Sequence, residues 1–394
     1  MRSFFSTLWK KIYKEPVRKV KERRILKRKL ALVSSLYKEP SQYDKEIIII
    51  RTDDIGDYIL FRNMLEFLRI AKPGYKITLV GHVLWKNIVE NWDAEFVDEF
   101  IWLDRRRYMK DEAYATEFLK KLSLKKPEMV LSPANYRNPF IDNVMATVIP
   151  ARQKWATNRS DRETKLWLRK YVDAPYTNIF RLPFEIHEFD FSNQFMEAAT
   201  QVKSPFTKPY IDIAKLPPVE IPEQPYVVLF PGSAAKQKQW ATKHFATVAD
   251  HVFEKYGLKS VVCGSKSDIA LFEKIEKYSK HKKNIINYTG KTDLMQLATV
   301  ISKCSLIVTN ETGAAHYAAS LGRNIVMALN GTTYRRVFPY PAGRHPNMKC
   351  VYPPGIENVP FDWTGALDIQ KITPEKVIKW VDYFLETELL SERS

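Results

Sequence analysis

Cysteine is scarce in this 394-residue chain, which has three, at positions 263, 304 and 350. They are too few and too far apart to predict a disulfide framework or a zinc site, and they favour a reducing compartment. Long apolar runs are also missing, so the sequence predicts no transmembrane helix. The N terminus lacks the apolar core of a signal peptide, because the short run Phe4–Trp9 is followed by two lysines.

Acidic residues are in the minority, 45 against 62 Lys and Arg, which gives a formal net charge of +17. The imbalance is concentrated at the start of the chain, where residues 1–30 hold twelve Lys or Arg and two Glu. Apolar residues make up 45% of the chain and aromatic residues 13%, a composition typical of a folded protein. The length is comfortable for two domains that each bury a core.

The basic N-terminal segment has a helical pattern over Ser3–Lys14, which Glu15 and Pro16 would end. Its apolar residues share one face: Phe5, Leu8, Trp9 and Ile12. A basic amphipathic helix with aromatic anchors suits an anionic bilayer, and this face favours the membrane surface. A solvated arm, a helix packed on its own domain, and a nucleic-acid contact remain as alternatives.

Strands alternate with helices from residue 45 onward, beginning with the β-branched run Ile47–Ile50. This alternation is typical of parallel α/β sheets. Ser204–Pro225 contains six prolines and is predicted to be a linker between two such series. The predicted fold is therefore α/β, with two Rossmann-like domains facing across a cleft. The predicted segments are a basic arm (1–44), a first domain (45–203), the linker (204–225), a second domain (226–372) and a C-terminal helix (373–394).

The first candidate site follows the first strand, where three aspartates surround Gly56. Gly56 allows a tight turn and the close approach of another group. Asp57, at the start of a helix, is either an N-cap or a general base aimed into the cleft. The dinucleotide fingerprint GxGxxG is absent.

Two further loops follow strands in the second series. Pro231–Trp240 offers the hydroxyl of Ser233 and the cation of Lys238, which suit a diphosphate, although a solvated lysine is the alternative. The Walker A pattern is not matched. Asp268, in the next loop, either accepts hydrogen bonds from ribose hydroxyls or caps a helix.

Leu306–Thr332 is the most informative stretch and predicts a strand, a turn, a helix and a second strand. Thr312 and Gly313 lie at the helix start, where unpaired N–H groups and the helix dipole suit a phosphate. Glu311 suits the hydroxyls of a sugar. His316 lies one turn further on and either reaches a ligand or forms a structural hydrogen bond. An ordinary strand–helix–strand unit with a well-capped helix is the alternative for the whole stretch.

From about Ile47 to Phe384 the chain resembles the ADP-heptose:lipopolysaccharide heptosyltransferases of glycosyltransferase family nine, which have the GT-B fold. The resemblance rests on five motifs in order: IIIIRTDDIGD, PGSAAKQKQW, CGSKSD, the block TGKTDLMQLATVISKCSLIVTNETGAAHYAASLG, and ITPEKV. It implies that Asp57 is the catalytic base. The resemblance implies donor contacts for Ser233, Lys238, Asp268, Glu311, Thr312 and Gly313. The family commonly has Asp where Glu311 stands.

The expected activity is an inverting, metal-independent transfer of a heptose or similar sugar, with Asp57 and Lys238 as catalytic residues and no metal or cofactor. The donor would be a nucleotide-sugar such as ADP-heptose. The acceptor would be an anionic, lipid-linked glycan such as a lipopolysaccharide-core precursor, bound with help from Arg105, Arg106 and Arg107. The protein is expected in the cytoplasm, at the inner face of the membrane, without a nucleic-acid partner. The alternative is a non-catalytic GT-B-like scaffold protein at the membrane.

Overall fold

The computed structural model describes residues 15–158, 165–183, 186–222, 225–341, 343–360, 363 and 365–391. Two sheets organise the chain. The elements of the first half are α1 Glu15–Leu36, β1 Asp44–Arg51, α2 Ile55–Phe61, α3 Asn63–Ala71, β2 Lys76–His82, α4 Lys86–Trp92, β3 Glu99–Leu103, α5 Arg105–Lys110, α6 Glu112–Ser123, β4 Pro127–Ser132, α7 Asp142–Val148, β5 Gln153–Thr157, α8 Arg169–Val172, β6 Asn178–Phe180 and α9 Glu188–Thr200.

The second half repeats the alternation after the proline-rich segment. Its elements are β7 Tyr226–Phe230, α10 Thr242–Tyr256, β8 Lys259–Gly264, α11 Ile269–Tyr278, β9 Ile285–Thr289, α12 Leu294–Ser302, β10 Leu306–Thr309, α13 Gly313–Ser320, β11 Asn324–Ala328, β12 Met348–Val351 and α14 Pro374–Ser391.

Both sheets have six strands and the same strand arrangement, β3-β2-β1-β4-β5-β6 and β12-β11-β10-β7-β8-β9. Every paired strand is parallel to its neighbour. The central strands are buried on both faces by helices, which explains why runs such as Ile47–Ile50 are continuously apolar. The predicted α/β class with two Rossmann-like units is confirmed. The sequence did not indicate three of the outer strands, β5, β6 and β12, because they are short and only partly apolar.

Helix α1 adds an element to the basic N-terminal segment. The predicted helix Ser3–Lys14, which Glu15 and Pro16 would end, lies outside the described residues, and a helix that was not predicted begins at Glu15. Proline fits the first turn of a helix, where its missing N–H removes no hydrogen bond. Leu26 and Val33 of α1 are buried against α6 and α7, so this helix is attached to the first half.

One apolar cluster runs through both halves of the molecule. It contains Ile49 and Tyr58 from the first half together with Val228 and Tyr317 from the second. Between the halves, the proline-rich segment is fixed in place, because Arg62 donates to the Tyr210 carbonyl (2.6 Å). Within the described residues, no helix is both long enough and apolar enough to cross a membrane.

Candidate active site

The strand order of the second sheet collects the three candidate loops of that half. Strand β7 lies between β10 and β8, and all three run in the same direction. The loops that follow them therefore emerge side by side at one edge of the sheet. The chain order reverses between β10 and β7, the position at which α/β sheets commonly bind ligands.

Asn310 fixes the loop Pro231–Trp240 against the end of β10. This side chain is fully buried; it donates to the Pro231 carbonyl (2.7 Å) and accepts from the Trp240 N–H (3.1 Å). A buried amide with both ends bonded defines one loop conformation, because breaking either bond would leave a buried polar group unpaired. Asn310 was not among the residues predicted from the sequence, although its position between a strand and a helix start is a signal for such a role.

Lys238 and Glu311 form an ion pair in this loop cluster, with Nζ and Oε1 2.5 Å apart. Their side chains are only 21% and 11% exposed, and Glu311 Oε2 has no hydrogen-bond partner within the described part of the chain. Ser233 Oγ donates to the Glu311 carbonyl (3.1 Å). The structure therefore brings three of the predicted donor-binding residues together.

Thr312 caps α13, since its Oγ1 accepts from the Ala314 N–H (3.1 Å). The start of this helix lies directly against the start of α2 from the other half. A methyl group added at Gly313 would come within 2.9 Å of Ile55 Cγ2, and one added at Gly56 within 2.9 Å of His316 Cδ2. The two glycines permit this approach, which places the Asp57 turn beside the predicted phosphate-binding turn.

Asp57 lies in the first turn of α2, next to a buried arginine. Arg51 donates through Nη2 to the Asp57 carbonyl (3.1 Å), and its Nε pairs with Asp53 Oδ2 (2.9 Å). Arg51 is fully buried, so the pairing compensates a charge that would otherwise be costly. The arginine thereby fixes the backbone turn that carries both aspartates.

Burial is the main cause that raises the pKa of the Asp57 carboxyl to about 6. The nearby carboxylates of Glu188 and Asp54 raise this pKa further, while the cations of Arg51 and Arg336 oppose the increase. A carboxyl group with such a pKa is ionised at neutral pH and binds a proton more readily than an ordinary aspartate. These are the properties required of a general base.

Asp268 has the capping role that the sequence left open. Its Oδ2 accepts from the N–H (2.8 Å) and the hydroxyl (2.7 Å) of Ser265. The carboxylate also lies against Gly232, where an added methyl group would be 2.9 Å from Oδ2. Asp268 thus adjoins the Pro231–Trp240 loop, and its contact with a ribose stays a prediction.

His316 is buried and has a structural partner. Its Nδ1 is 2.8 Å from the Tyr340 hydroxyl, and its ring stacks on Phe338 with centroids 4.8 Å apart. Burial lowers the pKa of the imidazole to about 3, so the ring is neutral at physiological pH. These contacts favour the structural alternative, and a donor contact by His316 stays a prediction.

The three predicted acceptor-binding arginines point to different surroundings. Arg105 Nη1 lies 3.3 Å from Asp54 Oδ1, in the segment Asp53–Asp57, which we call the aspartate turn. Arg107 instead pairs with Asp111 (3.1 Å), four residues further along the chain. Arg106 is exposed. Of the three, Arg105 is the one that the structure places at the aspartate turn.

Glu188, at the start of α9, is a site residue that the sequence analysis missed. Its side chain is 2% exposed, and its Oε2 accepts from Asn135 Nδ2 (2.9 Å). Its N–H donates to the carbonyl of Arg336 (3.1 Å), a residue of the second half. No local motif marks Glu188 or Arg336, because α9 approaches Asp57 by packing on α2 within the first half, and Arg336 comes from the second half.

Comparison with known proteins places these features in a family. The family model described as "Glycosyltransferase family 9 (heptosyltransferase)" matches residues 157–351, which include the loops of Ser233, Lys238, Asp268 and Glu311. Lipooligosaccharide heptosyltransferase 2 of Haemophilus ducreyi is 34% identical over 114 residues, which cover 28% of this chain and 32% of that relative. The chain thus matches about a third of the length of this curated relative.

Two solved structures show the same two-sheet architecture over nearly the whole chain. The glycosyl transferase family 9 protein from Veillonella parvula has a TM-score of 0.67 at 22% identity, covering 89% of this chain and 100% of its own. The E. coli heptosyltransferase WaaC with ADP has a TM-score of 0.67 at 16% identity, covering 86% and 99%. These likenesses show the GT-B fold. The family model in turn identifies residues 157–351 of the chain as glycosyltransferase family 9.

Proposed function

We propose that this protein is an inverting, metal-independent glycosyltransferase. It moves a heptose or similar sugar from a nucleotide diphosphate donor to a lipopolysaccharide core or another surface glycan. The observation that carries the proposal is the contact between the Asp57 turn and the start of α13, beside the Lys238–Glu311 pair. A base and a phosphate-binding cluster thereby share one site. The names of the relatives, heptosyltransferases of lipopolysaccharide synthesis, support the substrate class.

In the proposed reaction, the acceptor hydroxyl gives its proton to the Asp57 carboxylate. The acceptor oxygen attacks the anomeric carbon as the bond from that carbon to the diphosphate oxygen breaks, and the nucleoside diphosphate leaves. A single displacement of this kind inverts the anomeric configuration. Lys238 and the N–H groups at the start of α13 stabilise the negative charge that develops on the leaving diphosphate.

Metal independence is supported by the cation of Lys238, which supplies positive charge where the diphosphate would lie. Within the described ranges, no group of three or more His, Cys, Asp or Glu side chains is arranged to hold a metal ion. The donor base is proposed to be adenine, since the structure of the E. coli relative contains ADP.

The acceptor is proposed to be anionic and lipid-linked, with Arg105 beside the base as one contact. The protein would then act at the inner face of the cytoplasmic membrane. Helix α1 supports this, because seven basic residues on it are exposed while Leu26 and Val33 fix its other face to the first half: Arg18, Lys19, Lys21, Arg23, Arg24, Lys27 and Arg28. Such a basic surface is attracted to anionic lipids.

The test replaces Asp57 by the isosteric Asn and measures sugar transfer and nucleotide binding. We expect the rate to fall by about 10²–10⁴-fold, the usual contribution of a general base, with nucleotide affinity unchanged. Transfer at the wild-type rate would show that Asp57 is not the base. A non-catalytic scaffold protein, in contrast, would transfer no sugar in either form while still binding anionic membranes.

A further inference from the structure

The start of α9 is fastened to the second half of the molecule by three polar contacts. The His187 Nε2 lies 2.9 Å from the Val337 carbonyl, and the Glu188 N–H donates to the Arg336 carbonyl (3.1 Å). Arg344 and Asp190 form an ion pair of 2.5 Å. Because α9 also packs on α2, these contacts bring a segment of the second half next to the helix that carries Asp57.

Glu188 is the buried charge at this junction. Its carboxylate is fixed by the 2.9 Å bond from Asn135, which comes from the loop after β4. Strand β4 is the neighbour of β1, whose end carries the aspartate turn. Little water reaches a carboxylate buried at this position, so solvent screens its effect on neighbouring groups only weakly.

We propose that Glu188 is a positioning residue for sugar transfer: its buried carboxylate acts electrostatically on Asp57 and makes Asp57 a stronger base. Arg336, from the other half, acts in the opposite sense. The pair makes the strength of the base depend on the packing of the two halves. This inference rests on the proposed role of Asp57 as the base.

The charges around Asp57 determine the direction in which each neighbour moves the pKa of Asp57. Arg51, at the end of β1, and Arg336 favour the ionised form of Asp57, whereas Glu188 and Asp54 oppose it. A neighbouring carboxylate raises the pKa of Asp57 because two negative charges repel each other.

Two further titratable groups adjoin Asp57. Asp53 lies in the same turn, and burial raises its pKa well above the usual range. His316 lies on α13, which packs against α2. Its imidazole is neutral at physiological pH, so it adds no net charge near Asp57.

The experiment compares pH profiles of kcat/KM for the wild type, Glu188→Gln and Arg336→Gln, using the full chain and the donor that the enzyme turns over. The wild-type profile should fall below about pH 6, as Asp57 becomes protonated. We expect the acid limb to move to lower pH in Glu188→Gln and to higher pH in Arg336→Gln, each by at least about half a pH unit. A purely structural role would not move the limb in opposite directions in the two variants.

Two variants serve as controls. Glu197→Gln removes another carboxylate from α9, one that pairs with Lys203 (2.9 Å), and its acid limb should stay at the wild-type pH. Glu188→Asp keeps the charge and should bring the limb back toward the wild-type pH.

An unshifted limb in Glu188→Gln, or an equal shift in Glu197→Gln, would overturn the inference, provided that Asp57→Asn still lowers the transfer rate as expected. Transfer by Asp57→Asn at the wild-type rate would instead overturn the proposed role of Asp57 as the base. If Glu188→Gln does not fold, the test relies on Arg336→Gln. The inference is then overturned when the acid limb of Arg336→Gln is unshifted or moves to lower pH.

Discussion

At the scale of single residues, the Lys238–Glu311 pair leaves one carboxylate oxygen available. Glu311 accepts from Lys238 through Oε1 at 2.5 Å. Its second oxygen, Oε2, is buried and has no partner within the described part of the chain. Such an oxygen can accept a hydrogen bond from a sugar hydroxyl. Glu311 is therefore the residue from which we expect donor-sugar preference to arise.

Lys238→Met should lower kcat/KM for sugar transfer by about 10²–10³-fold, because the leaving diphosphate loses a partly buried cation. Lys236→Met is the matched control, since Lys236 lies on the same short helical turn but is exposed. Its kcat/KM should stay within a few-fold of the wild type. Equal losses in the two variants would mean that general positive charge, and not Lys238 itself, serves the reaction. Thermal unfolding would show whether Glu311, left without its cation, destabilises the fold.

At the scale of elements, α1 has one buried apolar face and one exposed basic face. Its inner face buries Leu26 and Val33, so deleting the segment would expose the core of the first half. Its outer face carries the basic side chains and the exposed Val17 and Val20. Membrane binding is therefore better tested by changing charges than by truncation.

The variant Lys19→Gln/Lys21→Gln/Lys27→Gln should bind anionic vesicles about a hundredfold more weakly, at about 1 kcal/mol per lysine near the surface. The matched control, Lys274→Gln/Lys277→Gln/Lys282→Gln, removes the same charge from exposed positions in the second half. It should bind nearly as well as the wild type. Co-sedimentation with vesicles containing phosphatidylglycerol measures both. Equal weakening of the two variants would mean that net charge alone, and not α1, governs the attraction.

At the scale of the whole molecule, the two halves share one apolar cluster and a polar junction. Trp92 of α4 meets Tyr317 of α13 edge to face, with centroids 5.9 Å apart. Arg62 pairs with Asp93 in the first half and also bonds the segment that connects the halves. Because apolar contacts cross the boundary, unfolding one half would expose surface on the other.

We therefore expect calorimetry to show a single unfolding transition. Bound nucleotide should raise the midpoint temperature of that whole transition. At about 100 times its Kd, a nucleoside diphosphate should stabilise the fold by about 2.7 kcal/mol, which raises Tm by a few degrees. Calorimetry with ADP, GDP, UDP and dTDP compares the bases, and ADP should give the largest increase. A second transition that does not respond to nucleotide would contradict the cooperative unfolding of the two halves. A larger shift with another base would change the proposed donor.

Much of the fold and part of the site could be predicted because their signals are local. Strand–turn–helix units leave a pattern within a dozen residues, and Ser233, Lys238 and Thr312 each follow a strand that the pattern located. The roles of Asp268 and His316 were less predictable. Capping by Asp268 depends on Ser265 three residues away and was foreseen as an alternative, but the partner of His316, Tyr340, lies 24 residues further along the chain.

The sequence by itself determined the two α/β series, the proline-rich connection between them and the basic charge of the N-terminal segment. These follow from the order and type of neighbouring residues. Only the tertiary structure decided that Glu188 and Arg336 lie beside Asp57, that Asn310 fixes the Lys238 loop, and that α1 packs on the first half. The physical reason is that packing between helices and halves depends on surfaces far apart in sequence, whereas secondary structure is encoded by local periodicity.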